Sequence, residues 1–203
     1  MRLRSGISFV IVVFMFALPA RVLACACCAN TGFYHSGSSE VGDHVTSEME
    51  RLRFRRTASL YLTEAGLEED ARGITQPKTI YSLTASMVNK TWTLSFRSGR
   101  DAGTLVLKLP ATMWDHSADI HDGKLSGGGG PLLYKEWRFE GDVTGTGIFQ
   151  TGLKSPGKYM LVMQGRGNAC DNAEDFNDWR LDVKSAAAEY AFYGKFIRPK
   201  PRK

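Results

Sequence analysis

Between Leu52 and Leu62 the chain alternates. Leu52, Phe54, Ala58, Leu60 and Leu62 fall on one face of an extended backbone, and Arg53, Arg55, Thr57, Ser59 and Tyr61 fall on the other. Apolar residues at every second position mark a strand with one buried face, because successive strand side chains point to opposite sides. Arg56 interrupts the inward row. The alternation survives only if a bulge turns Arg56 outward or a buried partner neutralises it.

The same period recurs downstream. Tyr81, Leu83, Ala85 and Met87 alternate with Ser82, Thr84 and Ser86; Asn89-Lys90 reads as a turn; Trp92, Leu94 and Phe96 then alternate with Thr93, Ser95 and Arg97. Two such runs around a tight turn predict a hairpin. Leu105, Leu107 and Leu109 continue the set until Pro110, which cannot donate to a ladder. Further strands are expected at Leu133–Gly141, Gly147–Gln150, Lys158–Gln164, Trp179–Val183 and Tyr190–Phe196, with Gly145-Thr-Gly147 as a hairpin turn. Residues 111–131 read as the longest irregular stretch, ending in Gly127-Gly-Gly-Gly-Pro131. Only Glu64–Ala71 and Asn172–Phe176 suit a turn or two of helix. About eight to nine short strands with minimal helix predict an all-β fold, either an antiparallel sandwich or a small barrel.

The N-terminus carries an export signal. Arg2 and Arg4 precede an apolar run of twelve residues, Ile7–Leu18, and Pro19 breaks it before Val22-Leu23-Ala24. A run this short cannot cross a hydrocarbon core, which takes about 20 residues, whereas Val22 and Ala24 fit signal-peptidase cleavage before Cys25. Cys25 in this setting resembles the acylated cysteine of a bacterial lipobox, with Leu23 where a small residue is usual. The expected organisation is a signal peptide over 1–24, a Cys/Gly/Ser-rich leader over 25–46, a β-rich domain over 47–197 and a basic, Pro-containing tail over 198–203. The expected location is outside the cytoplasm: the periplasm, the outer membrane if Cys25 is acylated, or the medium. No transmembrane helix is expected, and acylated Cys25 would supply membrane attachment.

Cleavage also changes the charge. Loss of Arg2, Arg4 and Arg21 lowers the formal +5 to +2, and four of the remaining positives sit in the tail at Arg198, Lys200, Arg202 and Lys203. The folded part is therefore slightly acidic. A nucleic-acid binder carries its basic excess on the fold itself, so that class is set aside.

Cysteines nominate the first candidate site. Cys25, Cys27 and Cys28 cluster at the mature N-terminus, and Cys170 lies far downstream. In an oxidising compartment the default is a disulfide. Adjacent cysteines pair poorly, so Cys170 is expected to bond to Cys27 or Cys28 and tie the leader to the sheet. The rival reading gives Cys25, Cys27 and Cys28 to Cu(I) or Zn as soft thiolate ligands, although the spaced pairs of a structural zinc site are lacking.

A second candidate is Asp115-His116-Ser-Ala-Asp119-Ile-His121-Asp122. Its Asp115, His116, Asp119 and His121 are potential metal ligands in what reads as a loop behind Trp114. A third is Gly165-Arg166-Gly167 and the acid- and amide-rich segment after it. Arg166 would either pair with Glu174 or Asp175 or face a ligand. Trp92, Trp137 and Trp179 fall in phase with inward positions and read as core. Trp114 is the tryptophan left for a ligand, on a chain with enough aromatics for a carbohydrate-binding face.

Gly145-Thr-Gly147 precedes no helix whose N-terminus could hold a phosphate. No nucleophile elbow is present, and no catalytic residue is nominated. The expectation is an exported, non-enzymatic binding or envelope-associated domain without a resident cofactor and with an unspecified ligand. The alternative is a periplasmic Cu- or Zn-handling protein using the N-terminal thiolates or the Asp115–Asp122 segment.

Overall fold

The computed structural model describes residues 27–120, 130–197 and 199. Its strands are β1 (Tyr34–Glu40), β2 (Arg53–Leu60), β3 (Ile80–Val88), β4 (Thr91–Ser98), β5 (Asp101–Lys108), β6 (Thr112–Ala118), β7 (Leu133–Gly147), β8 (Gly157–Gly167), β9 (Phe176–Lys184) and β10 (Glu189–Ile197). Helix α1 (Asp43–Arg51) joins β1 to β2, the short α2 (Leu67–Asp70) follows β2, and a 3-10 turn at Ala173–Asp175 leads into β9.

Eight strands close a barrel. β2, β3, β4, β5, β7, β8, β9 and β10 pair antiparallel in that order, and β10 returns to pair with β2. Of the two architectures compatible with the alternation, the chain adopts the one that leaves no open edge. β1 and β6 stand outside the closed set. β7 gives one edge to β8 from Leu133 to Val143, and shares the other between β5 (at Val143–Gly147) and β6 (at Tyr134–Arg138). β6 therefore leaves the barrel wall, and β1 pairs along its far side, so the two form a wing. Gly141 marks the parting of the ways: a Cβ there would stand 2.9 Å from a Tyr159 ring carbon and 3.1 Å from the carbonyl oxygen of Lys108, the last residue of β5.

An eight-stranded barrel is about wide enough for its own side chains to fill. Phe54 meets Trp92, Trp179 and Phe196 at ring distances of 5.1, 5.2 and 4.9 Å, and Phe192 packs against Tyr81, Phe96, Phe149 and Tyr190. Trp92, Trp137 and Trp179 are all buried, as their phase predicts. At the end where β2 begins, α1 adds Val45 and Met49 to this core; Ile74, Ile148, Phe149, Leu153 and Ala188 add to it from loop and turn positions.

Several sequence expectations need correction. The stretch 111–131 contains β6, so Asp115, His116 and Trp114 lie on a strand rather than a loop. Residues 145–147 are the end of β7, and the turn follows at Ile148–Gln150. β1 and the first four residues of α1 fall in the segment read as a leader, which is therefore part of the fold, and the rest of α1 is a helix where none was expected. Arg56 is exposed, and a register shift against β10 shows that a bulge carries it outward.

Candidate binding face

A latch on the inner side of the wing fixes the geometry of its outer side. Cys27 bonds to Cys170 across 143 residues. Lys135 on β7 is fully buried; its ammonium donates to the carbonyl oxygen of Cys170 and lies 3.1 Å from Oδ2 of Asp175. From α1, Glu48 accepts the Ala173 N–H at 2.8 Å, and Arg51 pairs with Glu174 at 3.0 Å. The disulfide therefore ties the 170–175 segment to Cys27, and ion pairs from Lys135 and Arg51 hold it against β7 and α1.

The latch also explains Gly165-Arg166-Gly167. A Cβ on Gly165 would stand 1.8 Å from the Asp175 carbonyl oxygen, and one on Gly167 2.0 Å from the Asp175 carboxyl carbon. Both glycines make room for Asp175 on the inner face of β8. Arg166 between them points the other way. The two acids expected as its partners are engaged by other cations, Asp175 by Lys135 and Glu174 by Arg51.

Cross-strand partners share a face, so the register defines the outer surface. One row runs Tyr34, Ala118, Tyr134, Arg166; the next runs Ser36, His116, Glu136, Gln164; a third runs Ser38, Trp114, Arg138, Val162. The two ligand candidates, Trp114 and Arg166, come from separate stretches of sequence and stand on this one face. The remaining members carry no period-two apolar signal that would have nominated them. Tyr34 is 70% exposed and Trp114 46% exposed. His116 is edge-on to Tyr34 at 5.5 Å and to Tyr134 at 5.9 Å.

Glu136 is the hub of the face. Its carboxylate accepts from the Tyr134 hydroxyl at 2.6 Å, from Gln164 Nε2 at 2.9 Å and from Arg138 Nε. Burial pushes its carboxyl up, but donation from Gln164, Tyr134 and Arg138 outweighs that and holds it below the usual glutamate range. Tyr134 moves up, through burial first and then through its bond to the Glu136 anion. A charged carboxylate under three donors thus pins Tyr134, Arg138 and Gln164.

Among the described residues the metal candidates do not converge. Asp115 and His116 are strand neighbours on opposite faces: Asp115 lies 3.7 Å from His35 on the inner side, while His116 meets the tyrosines outside. Asp119 accepts from the Gly32 N–H at 2.9 Å. Cys27 is consumed by its bond to Cys170, Cys28 is exposed, and Cys25, His121 and Asp122 lie outside the described residues. Among the described residues no three His, Cys, Asp or Glu side chains gather as a metal-binding group.

Fold and face together define a class: a closed, aromatic-filled antiparallel barrel bearing a two-stranded wing with an exposed aromatic surface. No known protein family, curated protein or solved structure gives a significant match to the chain. Among the described residues no helix is long and apolar enough to cross a membrane.

Proposed function

We propose that this chain is an exported glycan-binding module that takes its ligand on the outer face of β1, β6, β7 and β8. The observation that carries the reading is the exposure of Trp114 and Tyr34 on rigid strands among Arg138, Arg166, His116 and Gln164. Sugar rings offer apolar C–H faces to an aromatic ring and hydroxyls at their rims. Aromatic side chains with polar handles beside guanidinium and amide donors match both. A surface four strands wide suits an extended polymer better than a small molecule, which favours a concave site. Ser36, Ser38 and Ala118 keep the spaces between the aromatic rings shallow.

Binding is favoured over catalysis by the state of Glu136. An acid–base catalyst needs a carboxyl near its working pH with a free lone pair or proton, whereas Glu136 is held anionic under three donors. Export rests on Arg2, Arg4, the Ile7–Leu18 run and Val22-Leu23-Ala24, and the Cys27–Cys170 bond is in keeping with an oxidising compartment.

Sedimentation with insoluble peptidoglycan, chitin and cellulose tests the reading. Wild-type protein should pellet with at least one of them, and Trp114→Ala should stay in the supernatant. If neither sediments with any of them, or both sediment equally, the assignment fails.

A further inference from the structure

A second surface lies on the barrel wall at β2, β10 and β9, next to the β8 edge of the first. On β2, Phe54 pairs with Phe196 and Ala58 with Gly194, so Arg55, Arg56 and Thr57 together oppose the single residue Lys195. On β9, Phe176 pairs with Gly165 and Asp178 with Gln164, which leaves Asn177 as an extra residue. Both irregularities flank the last part of β10. Between them lies an open groove of about 830 Å³ lined by Arg55, Arg56, Thr57, Asn177, Asp178 and Lys195 above Phe196.

Arg55 and Arg56 are consecutive, and on a regular strand they would face opposite sides of the wall. The bulge brings both to the same groove. Keeping Arg56 out of the apolar interior requires some irregularity in β2. It does not require Arg55, Thr57 and the separate bulge at Asn177 to border the same space. Bulges are over-represented where a side chain is re-aimed beside a functional site.

The charges in the groove are unequal. Asp178 pairs with Lys195 at 2.9 Å, which neutralises both. Arg55 and Arg56 are exposed, and among the described residues no other carboxylate borders them in the groove. Two planar guanidiniums a residue apart can each present a forked pair of donors to an oxyanion. The Thr57 hydroxyl adds an uncharged donor, while the Asn177 amide is directed to the Asp175 carbonyl oxygen at 3.5 Å.

We infer that this groove binds a phosphoryl group, which Arg55 and Arg56 would grip as paired forks. The ligand chemistry is a tetrahedral oxyanion with several terminal oxygens, carried either by a small phosphate or by a phospholipid headgroup. The groove adjoins the glycan face where Asp178 pairs with Gln164, and its two arginines are not among the residues of that face.

Full-length mature protein should be titrated calorimetrically with inorganic phosphate and pyrophosphate. It should also be co-sedimented with vesicles of phosphatidylcholine alone and of phosphatidylcholine mixed with phosphatidylglycerol. The variants are Arg55→Gln/Arg56→Gln, and a control with Arg198, Lys200, Arg202 and Lys203 each changed to Gln. Wild type should bind the free anions or the anionic vesicles, and which of the two it binds identifies the source of the phosphoryl group. The Arg55/Arg56 variant should bind about tenfold more weakly or worse, the scale of losing charge-assisted bonds, with an unchanged melting temperature. The tail control should retain most of the binding. Absence of binding to every probe, unaltered binding by Arg55→Gln/Arg56→Gln, or loss through the tail control alone would each overturn the assignment.

Discussion

Nζ of Lys135 lies 3.1 Å from Oδ2 of Asp175, and the lysine is completely shut off from solvent. The same ammonium reaches the carbonyl oxygen of Cys170, so one buried cation joins β7 to the segment that also carries the disulfide. Removing one member of such a pair leaves the other charge uncompensated. Lys135→Met should therefore destabilise the fold by about 3–5 kcal/mol. Denaturant unfolding checks this, and in a double-mutant cycle with Asp175→Asn the two losses should be clearly non-additive.

Gly167 is the counterpart of that pair. The Asp175 carboxyl occupies the place its Cβ would take, so Gly167→Ala must push the loop off β8. Overpacking of this kind costs about 1–3 kcal/mol. The Arg166→Ala change next to it, on the exposed outer face, should cost less than Gly167→Ala does. Thermal melts of the two variants should separate them clearly.

The disulfide should contribute independently of the ion pair. Cys170→Ser, or reduction of the wild type, should lower stability by about 2–5 kcal/mol. Non-reducing peptide mapping should recover the Cys170 peptide joined to the one that contains Cys27.

Asp115 should make the fold less stable as pH rises. Burial pushes its carboxyl up and the nearby Asp171 charge adds to this, against weaker opposing pulls from His35, Lys135 and His116. The folded chain therefore still holds this proton where the unfolded chain has released it, so stability falls as pH climbs above the ordinary aspartate value of about 3.9. Asp115→Asn should melt higher than wild type at pH 7, and the difference should vanish below about pH 4. Glu136 acts in the opposite sense. Its contribution is full above the ordinary glutamate value and is lost as pH falls through its lowered folded one.

Much of the barrel was legible in the sequence because its strands have one apolar face. β2 to β5 follow the alternation from Leu52 to Leu109, and the three in-phase tryptophans are core. Arg56 announced its bulge by breaking that row. The wing was illegible for the same reason. β1 (Tyr34–Glu40) presents Tyr34, Ser36 and Ser38 on one side and His35, Gly37 and Ser39 on the other, and the inner face of β6 carries Asp115 and Ser117 beside the single apolar Met113. Gly141, Gly145 and Gly147 read as breaks in β7, yet they keep the strand continuous by admitting neighbours where a Cβ would collide: Tyr159, then Leu153 and Phe149, then the Ala102 carbonyl. Of the candidate site, Trp114 and Arg166 were visible singly. Their shared face depends on strand register, which no local pattern encodes.

The most direct measurement is the fluorescence of Trp114 itself. Trp92, Trp137 and Trp179 are buried, so most quenching by an aqueous quencher should come from Trp114. The difference between wild type and Trp114→Phe isolates its signal. Soluble oligosaccharides from whichever polysaccharide sediments the protein should shift that difference signal to the blue and shield it from acrylamide, at a concentration that Tyr34→Ala raises about tenfold or more. A Trp114 signal that stays fully quenchable at saturating oligosaccharide would contradict a glycan site on the face of β1, β6, β7 and β8.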